Sequence, residues 1–143
     1  MAEQILFYGT RPADPGYMSN FSRHRYQRNG NWYETAEHDY QSQKFAGTPL
    51  EKKIREAESP GAAKRLGQSP GMRADWESVK EDVMRECLLA KFKAHPIIFS
   101  KLLETGDSKL IENSPTDYYW GIGANGTGKN RLGVLLMELR QYR

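Results

Sequence analysis

The spacing of apolar residues predicts helices through most of the chain that follows Thr35. The longest predicted helix runs from Trp76 to about Ala94, and Asp75 precedes it as a candidate cap. The side chains predicted to face the core are Val79, Val83, Cys87 and Leu88. His95-Pro96 ends this helix and begins the next one, which is predicted from Ile97 to Glu104.

Cap signals predict two shorter helices upstream of Trp76. Thr48 and Glu51 have the spacing of a capping box, and Pro49 occupies the first helical position between them. Ser59-Pro60 opens a second short helix that Gly67 can close.

The remaining periodic segments lie at the two ends of the chain. Arg25–Arg28 and Asn31–Glu34 flank Asn29-Gly30, the strongest short hairpin signal, and Ile5–Tyr8 is a further short strand. Lys109–Glu112 is a predicted strand. A final helix is predicted from about Lys129 to Gln141, with a core face made of Leu132, Leu135, Leu136 and Leu139. The predicted fold is therefore α+β: a single compact, mainly helical domain over residues 1–143 with a small N-terminal antiparallel β element.

Composition adds bounds on the class of protein. A chain of 143 residues, 38% hydrophobic and 27% charged, fits one soluble domain. The net charge of +3 suits phosphate-bearing ligands without demanding a nucleic-acid groove. The single cysteine, Cys87, is predicted to fill the core and fits a reducing compartment. No targeting segment and no apolar run near the roughly 20 residues of a membrane span is present, so we expect an intracellular, cytoplasmic protein, or a nuclear one in a eukaryote.

A mixed stripe of ionisable and aromatic residues marks the helix predicted between residues 35 and 45. Glu37 and Lys44 are seven residues apart, about two helical turns, so both side chains point to one face. Tyr40 and Gln41 lie between them on that stripe. A carboxylate and an amine on one partly buried face can shift each other's pKa, which indicates a reactive site. A surface salt bridge is the alternative.

A glycine-rich turn lies near the C-terminus. Residues 123–130 match the glycine and lysine positions of a phosphate-binding loop, but Asn130 stands where a hydroxyl residue should bind Mg²⁺. No apolar strand precedes the turn, so a nucleotide-hydrolysing P-loop is rejected. A glycine turn that enters a helix still predicts free backbone N–H groups at Gly128 for an anion, with charge from Lys129 and Arg131. A tight structural turn is the alternative.

Upstream of this turn, one carboxylate adjoins three aromatic rings. Asp117 is followed directly by Tyr118, Tyr119 and Trp120, a loop suited to stacking a flat heterocycle. A hydrophobic plug is the alternative. Trp76 is a further candidate ring, for which a core position is equally open.

These blocks together resemble the NADAR family, also called YbiA-like proteins. The resemblance runs from about Phe7 to Arg140. Its blocks are Glu37-His38-Asp39-Tyr40 with Gln43-Lys44-Phe45, Trp76-Glu77-Ser78-Val79-Lys80, Asp117-Tyr118-Tyr119-Trp120-Gly121, Gly128-Lys129-Asn130-Arg131-Leu132-Gly133 and Leu136-Met137-Glu138-Leu139-Arg140.

The resemblance implies a compact α+β domain that hydrolyses N-glycosidic bonds of ribose phosphates. It places the family's catalytic glutamate on Glu37 and a family lysine on Lys44. Other family site residues fall on Trp76, Asp117 and Trp120, and Ser19-Asn20-Phe21 matches a block near the pocket. The full predicted set has Glu37, Lys44 and Asp117 as catalytic residues, and Asn20, Phe21, Tyr40, Trp76, Tyr119, Trp120, Gly128, Lys129, Asn130 and Arg131 as substrate-binding residues.

Two chemical routes remain open for this site. In the first, Glu37 or Asp117 stabilises the positive charge that develops on the ribose during cleavage. In the second, which we favour, a neutral Lys44 amine attacks C1′ of the ring-opened sugar and Glu37 carries protons. Neither route requires a cofactor, and the histidines lack the spacing of metal ligands, so no metal is expected.

The residues leave the substrate open. Family members act on ADP-ribose attached to guanine in nucleic acid or on phosphoribosylamino-pyrimidine intermediates of riboflavin synthesis. Arg23, Arg25 and Arg28 on the hairpin side favour a nucleic-acid-borne substrate. We therefore expect ADP-ribosylated guanine in DNA or RNA as the partner, with no membrane. A non-catalytic ADP-ribose-binding module is the alternative of another class.

Overall fold

The computed structural model describes residues 3–141, which divide into two compact units. One unit combines the N-terminal segment up to Ser22 with the chain from Pro96 onward, and the other runs from Arg23 to His95. Helices dominate and strands are few and short, so the predicted α+β class is confirmed. The prediction of a single domain stays a prediction.

Eleven elements follow one another along the described residues. They are β1 (Gln4–Phe7), α1 (Ala13–Gly16), β2 (Tyr26–Arg28), β3 (Asn31–Tyr33), α2 (Ala36–Gln43), α3 (Pro49–Arg55), α4 (Pro60–Leu66), α5 (Trp76–Ala94), α6 (Pro96–Glu104), β4 (Lys109–Glu112) and α7 (Arg131–Arg140). No helix among these residues is long and apolar enough to cross a membrane.

In the unit from Arg23 to His95, the predicted hairpin is confirmed. The antiparallel strands β2 and β3 pair Tyr26 with Tyr33. Asn29 and Gly30 have φ of 54° and 81°, the left-handed conformations that a type I′ turn requires. Helix α2 then packs against α3, α4 and α5, so the segment with the mixed stripe lies at the centre of this unit.

Three local predictions for this unit are corrected. The Thr48 hydroxyl donates to the Phe45 carbonyl, and Glu51 accepts from the Gly47 N–H, so α3 starts as predicted without a capping box. The Asp75 carboxylate pairs with Arg73 and does not cap α5. Val79 is only half-buried, although the other three residues of the predicted α5 stripe are buried.

In the other unit, β1 and β4 form a parallel pair that the sequence did not predict. Their register places Phe7 opposite Glu112. The predicted core face of α7 is confirmed, because all four of its leucines are buried. The helix starts at Arg131, after Asn130, which has a left-handed φ of 51°.

Candidate active site

Helix α2 is fixed at its first turn by Thr35 and His38. The Thr35 side chain accepts a hydrogen bond from the His38 backbone N–H, which caps the helix. The His38 ring bridges Thr35 and the Ala57 carbonyl, at 2.8 and 3.0 Å from its two nitrogens. Burial lowers the pKa of His38, so the ring is neutral, with Nε2 donating to the Ala57 carbonyl and Nδ1 accepting from the Thr35 hydroxyl. His38 therefore orients the helix.

A buried carboxylate, Asp39, ties the same helix to the hairpin. Its two oxygens accept hydrogen bonds from the Tyr26 hydroxyl, from two nitrogens of Arg28 and from the Gln43 amide, at 2.6 to 2.9 Å. The Asp39 side chain is fully buried and that of Arg28 is 14% exposed. A carboxylate with four donors is rigidly held, so Asp39 fixes the orientation of α2 rather than serving as an acid or base.

Glu37 projects from the first turn of α2 into a buried environment. Only 7% of the residue is exposed. Its Oε2 accepts a hydrogen bond of 2.6 Å from the amide of Gln41, one turn further along the helix. A short charge-assisted hydrogen bond fixes the direction of the carboxylate.

Lys44 lies at the C-terminal end of α2 and is half-buried. Its Nζ is 3.5 Å from the carbonyl oxygen of Gly67 and lies 5.8 and 5.9 Å from the ring centres of Tyr40 and Trp76. Burial lowers the pKa of Lys44; Lys64 and Lys80 add to the lowering, while Glu37 and Glu77 oppose it. A lowered pKa increases the fraction of neutral amine, the form that acts as a nucleophile.

Glu37 is buried and Lys44 is half-buried at the C-terminal end of α2, so the two are not an exposed surface pair; their joint role as a reactive site stays a prediction. Tyr40 and Trp76 contact each other with ring centres 5.1 Å apart. Both are at least nine-tenths buried, at 5% and 3% exposed. They line the region beneath the Lys44 amine as packed core residues rather than as an open stacking surface.

The aromatic loop predicted around Asp117 lies in the unit that contains β4 and α7. Asp117 Oδ1 accepts hydrogen bonds from the backbone N–H groups of Tyr119 and Trp120, at 2.9 and 2.8 Å, which closes a tight turn. The two rings meet edge to face with centres 4.9 Å apart, and both residues are half-buried. The Lys129 amine lies 5.6 Å from the centre of the Tyr119 ring. A half-buried aromatic pair beside a cation can hold a flat, anionic heterocycle.

The prediction of free N–H groups in the glycine turn is wrong at and after Gly128. The N–H groups of Gly128, Lys129, Asn130 and Arg131 donate to backbone carbonyls of residues 118–122. The turn is therefore closed on the aromatic loop by its own backbone, and an anion there would depend on the Lys129 and Arg131 side chains.

Asn130 is accounted for by the fold. Its side-chain amide accepts from the Glu112 N–H and donates to the Leu110 carbonyl, both at 2.9 Å. The residue is 7% exposed. With donor and acceptor both used on β4, Asn130 holds that strand against the start of α7, and its predicted role in substrate binding has no structural support.

Asn20 and Phe21 follow α1 in the same unit as the aromatic loop. Asn20 is buried and Phe21 is half-buried, and the Phe21 N–H donates to the Ser19 hydroxyl at 3.1 Å. Their role at a pocket stays a prediction.

Two of the three hairpin arginines are neutralised by nearby groups. Arg28 is committed to Asp39, and Arg25 pairs with Glu34 at 3.0 Å and stacks over Trp32 at 4.2 Å. These ion pairs reduce the net positive charge of the surface on which the prediction of a nucleic-acid substrate rested. Arg23 is exposed and takes part in neither pair.

A cavity of about 220 Å³ lies at the carboxyl ends of β1 and β4. Its lining comprises Leu6, Phe7, Tyr8, Gly9, Arg11, Pro12, Pro15, Gly16 and Asn113. None of the predicted site residues is among them, and the lining contains no carboxylate. The cavity therefore lacks the acid that cleavage of a glycosidic bond requires. Across residues 3–141 no group of three or more histidine, cysteine or acidic side chains could hold a metal ion.

Sequence reasoning missed two residues that the fold brings to Glu37 and Lys44. Gln41 was placed on the stripe, but its contact with Glu37 was not predicted. Gly67 was identified only as the end of α4, whereas its carbonyl meets the Lys44 amine. The spacing of four residues between Glu37 and Gln41 was a usable signal for the first contact. No local pattern could reveal the second.

Comparison with known proteins agrees with the resemblance. The NADAR domain family matches residues 6–142. The chain is 48% identical to a Shigella flexneri protein named N-glycosidase YbiA over 139 residues, covering 96% of this chain and 86% of the relative. It is 41% identical to the Zea mays riboflavin biosynthesis protein PYRR, covering 87% of this chain but 23% of that protein.

The fold agrees as well. The solution structure of the E. coli protein YbiA superposes with a TM-score of 0.89 at 44% identity, covering 99% of this chain and 85% of that one. Together, the family match over residues 6–142 and the high identity across nearly the whole chain show that this protein belongs to the NADAR family.

Proposed function

We propose that this protein is an N-glycosidase that cleaves the bond between a ribose and a nitrogenous base, with ADP-ribose on guanine in nucleic acid as the substrate. The observation that carries the proposal is the buried Glu37 carboxylate on the same helix as the desolvated Lys44 amine. Relatives named N-glycosidase support the class of reaction.

The chemistry proceeds from these two groups. When the ribose ring opens, C1′ carries the base as an imine. The neutral Lys44 amine adds to C1′, the base leaves with a proton, and a Schiff base to Lys44 remains. Water then adds to C1′, which releases the sugar as its aldehyde and restores the amine. Glu37 supplies and removes the protons, because its carboxylate is fixed by Gln41 on the same face of α2.

A phosphoribosylamino-pyrimidine is the second candidate substrate. It is favoured by the riboflavin-biosynthesis name of the Zea mays relative and by the neutralisation of Arg25 and Arg28. Incubating the purified protein with ADP-ribosylated DNA, ADP-ribosylated RNA and the pyrimidine intermediate would decide between them. Release of base from the pyrimidine intermediate alone would overturn the choice of ADP-ribosylated guanine.

Lys44→Ala tests the covalent route. We expect loss of turnover with ADP-ribose binding retained, because the amine forms a bond that binding does not need. Sodium borohydride added during turnover should reduce the Schiff base and leave a sugar adduct on Lys44, detectable by mass spectrometry of peptides.

Lys93→Ala is the matched control, since Lys93 is an exposed lysine outside the site. Full turnover in Lys44→Ala would refute the role of Lys44 as the nucleophile and favour direct hydrolysis assisted by Glu37. ADP-ribose binding by the wild-type protein with no release of base from any of the three substrates would favour the non-catalytic module.

A further inference from the structure

The amide of Gln41 is held in one orientation between the two reactive groups. Only 5% of the residue is exposed. Its Nε2 donates to Glu37 Oε2 at 2.6 Å, and only the nitrogen of an amide can donate to a carboxylate. The carbonyl oxygen, Oε1, must therefore point away from Glu37.

That oxygen is a buried acceptor with no hydrogen-bond donor among the described residues. Nearly all buried acceptors in folded proteins are satisfied by protein, ordered water or a ligand, so an unsatisfied acceptor beside two candidate reactive groups is a position that a ligand hydroxyl can complete. Burying it costs stability, and an apolar side chain at position 41 would avoid that cost.

Gly67 fits against the same oxygen. A Cβ atom added at Gly67 would overlap Gln41 Oε1. The glycine has φ of −64°, which any residue adopts, so the backbone conformation does not require glycine there. A Cβ at this position would crowd Oε1, Cδ and Cβ of Gln41, so glycine leaves room for that side chain. The Gly67 carbonyl also meets the Lys44 amine at 3.5 Å, so Gln41 Oε1 and the Lys44 amine both approach Gly67.

Building on the proposed function, we propose that Gln41 Oε1 accepts a hydrogen bond from the ribose hydroxyl on the carbon next to the reacting carbon. Glu37 and Lys44 both act at C1′, and in the substrate, whose C1′ carries the base, the C2′ hydroxyl is the sugar hydroxyl closest to that atom. Phosphate oxygens are acceptors at neutral pH and cannot fill this position. Hydrogen bonds to this hydroxyl strengthen in the transition state of glycoside cleavage. Gln41 thus holds Glu37 with one end of its amide and selects ribose over deoxyribose with the other.

The test compares two ligands, ADP-ribose and its analogue that lacks the C2 hydroxyl on the terminal ribose. Calorimetry with the wild-type protein should show about tenfold weaker binding of the analogue, the loss of roughly one hydrogen bond to a buried acceptor. In Gln41→Met, a variant of similar shape without the acceptor, the two ligands should bind equally.

Gln43→Met is the matched control. Gln43 lies on the same helix, and its amide donates to a different carboxylate, that of Asp39, and to the Tyr33 hydroxyl. This variant should keep the tenfold preference.

Three results would overturn the inference. Equal affinity in the wild-type protein would do so without any variant, while leaving the proposed function intact if ADP-ribose binds. A tenfold preference that persists in Gln41→Met would assign the hydroxyl to another group. If the wild-type protein binds neither ligand, the choice of ADP-ribose falls, and the inference falls with it.

Discussion

Removing the Asp39 carboxylate should lower the free energy of unfolding more than the loss of any exposed ion pair does. In Asp39→Ala, the Tyr26 hydroxyl and the Gln43 amide lose an acceptor, and Arg28 loses its partner. Breaking a buried ion pair from one side costs about 3–5 kcal/mol, because a charge stays behind without compensation. We expect a value within that range rather than above it, because the Arg28 side chain is 14% exposed and can turn partly toward water.

This loss is a large share of the stability of a domain, which is about 5–15 kcal/mol. Urea unfolding followed by far-ultraviolet circular dichroism measures it directly. With a urea dependence of about 2 kcal/mol per molar, the midpoint should fall by about 2 M. Asp75→Ala is the control, because Asp75 also pairs with an arginine, Arg73, but on the exposed surface. Its midpoint should not move measurably.

A midpoint shift below about 0.5 M in Asp39→Ala would refute the reasoning, since it corresponds to less than about 1 kcal/mol. It would mean that water replaces the carboxylate at little cost and that Asp39 does not hold α2.

Two further predictions concern other buried polar residues. Burial lowers the pKa of Lys91 to about 7, so the unfolded chain, with an ordinary lysine, binds more protons above that pH. The free energy of unfolding should therefore rise between about pH 7 and about pH 9, and Lys91→Met should flatten that rise; an unchanged slope in the variant would exclude Lys91 as its source. Asn130→Ala should lower the free energy of unfolding by about 1–3 kcal/mol through its two lost hydrogen bonds to β4, while ADP-ribose affinity measured by calorimetry stays unchanged. A selective loss of affinity at full stability would instead restore Asn130 as a substrate-binding residue.

Local chemistry in the sequence determined most of the secondary structure. Asn29-Gly30 predicts the hairpin because few other residues tolerate left-handed conformations. Ser59-Pro60 sets the start of α4, because the Ser59 hydroxyl accepts from the Ala62 N–H and proline fits the first helical position. The predicted capping box at Thr48 is wrong, because the Thr48 hydroxyl donates to the Phe45 carbonyl and accepts no hydrogen bond from the first turn of α3.

Helical spacing also predicts that Glu37 and Lys44 share one face of α2, since residues on one helix have fixed relative positions. The prediction of free N–H groups at Gly128 is wrong because those groups donate to carbonyls in the preceding loop. No periodic pattern in the sequence indicates the path of a loop.

Tertiary structure decided the environment of each reactive group. The parallel pairing of β1 with β4 joins segments about a hundred residues apart, and short apolar runs do not encode their partner. The burial that lowers the pKa of Lys44 and the approach of Gly67 to Gln41 depend on how α4 and α5 pack around α2. The sequence by itself determined which helix carries the carboxylate and the amine. Only the packing decided how strongly the carboxylate and the amine are desolvated and which acceptor is left for a ligand, because desolvation depends on neighbours that are distant along the chain.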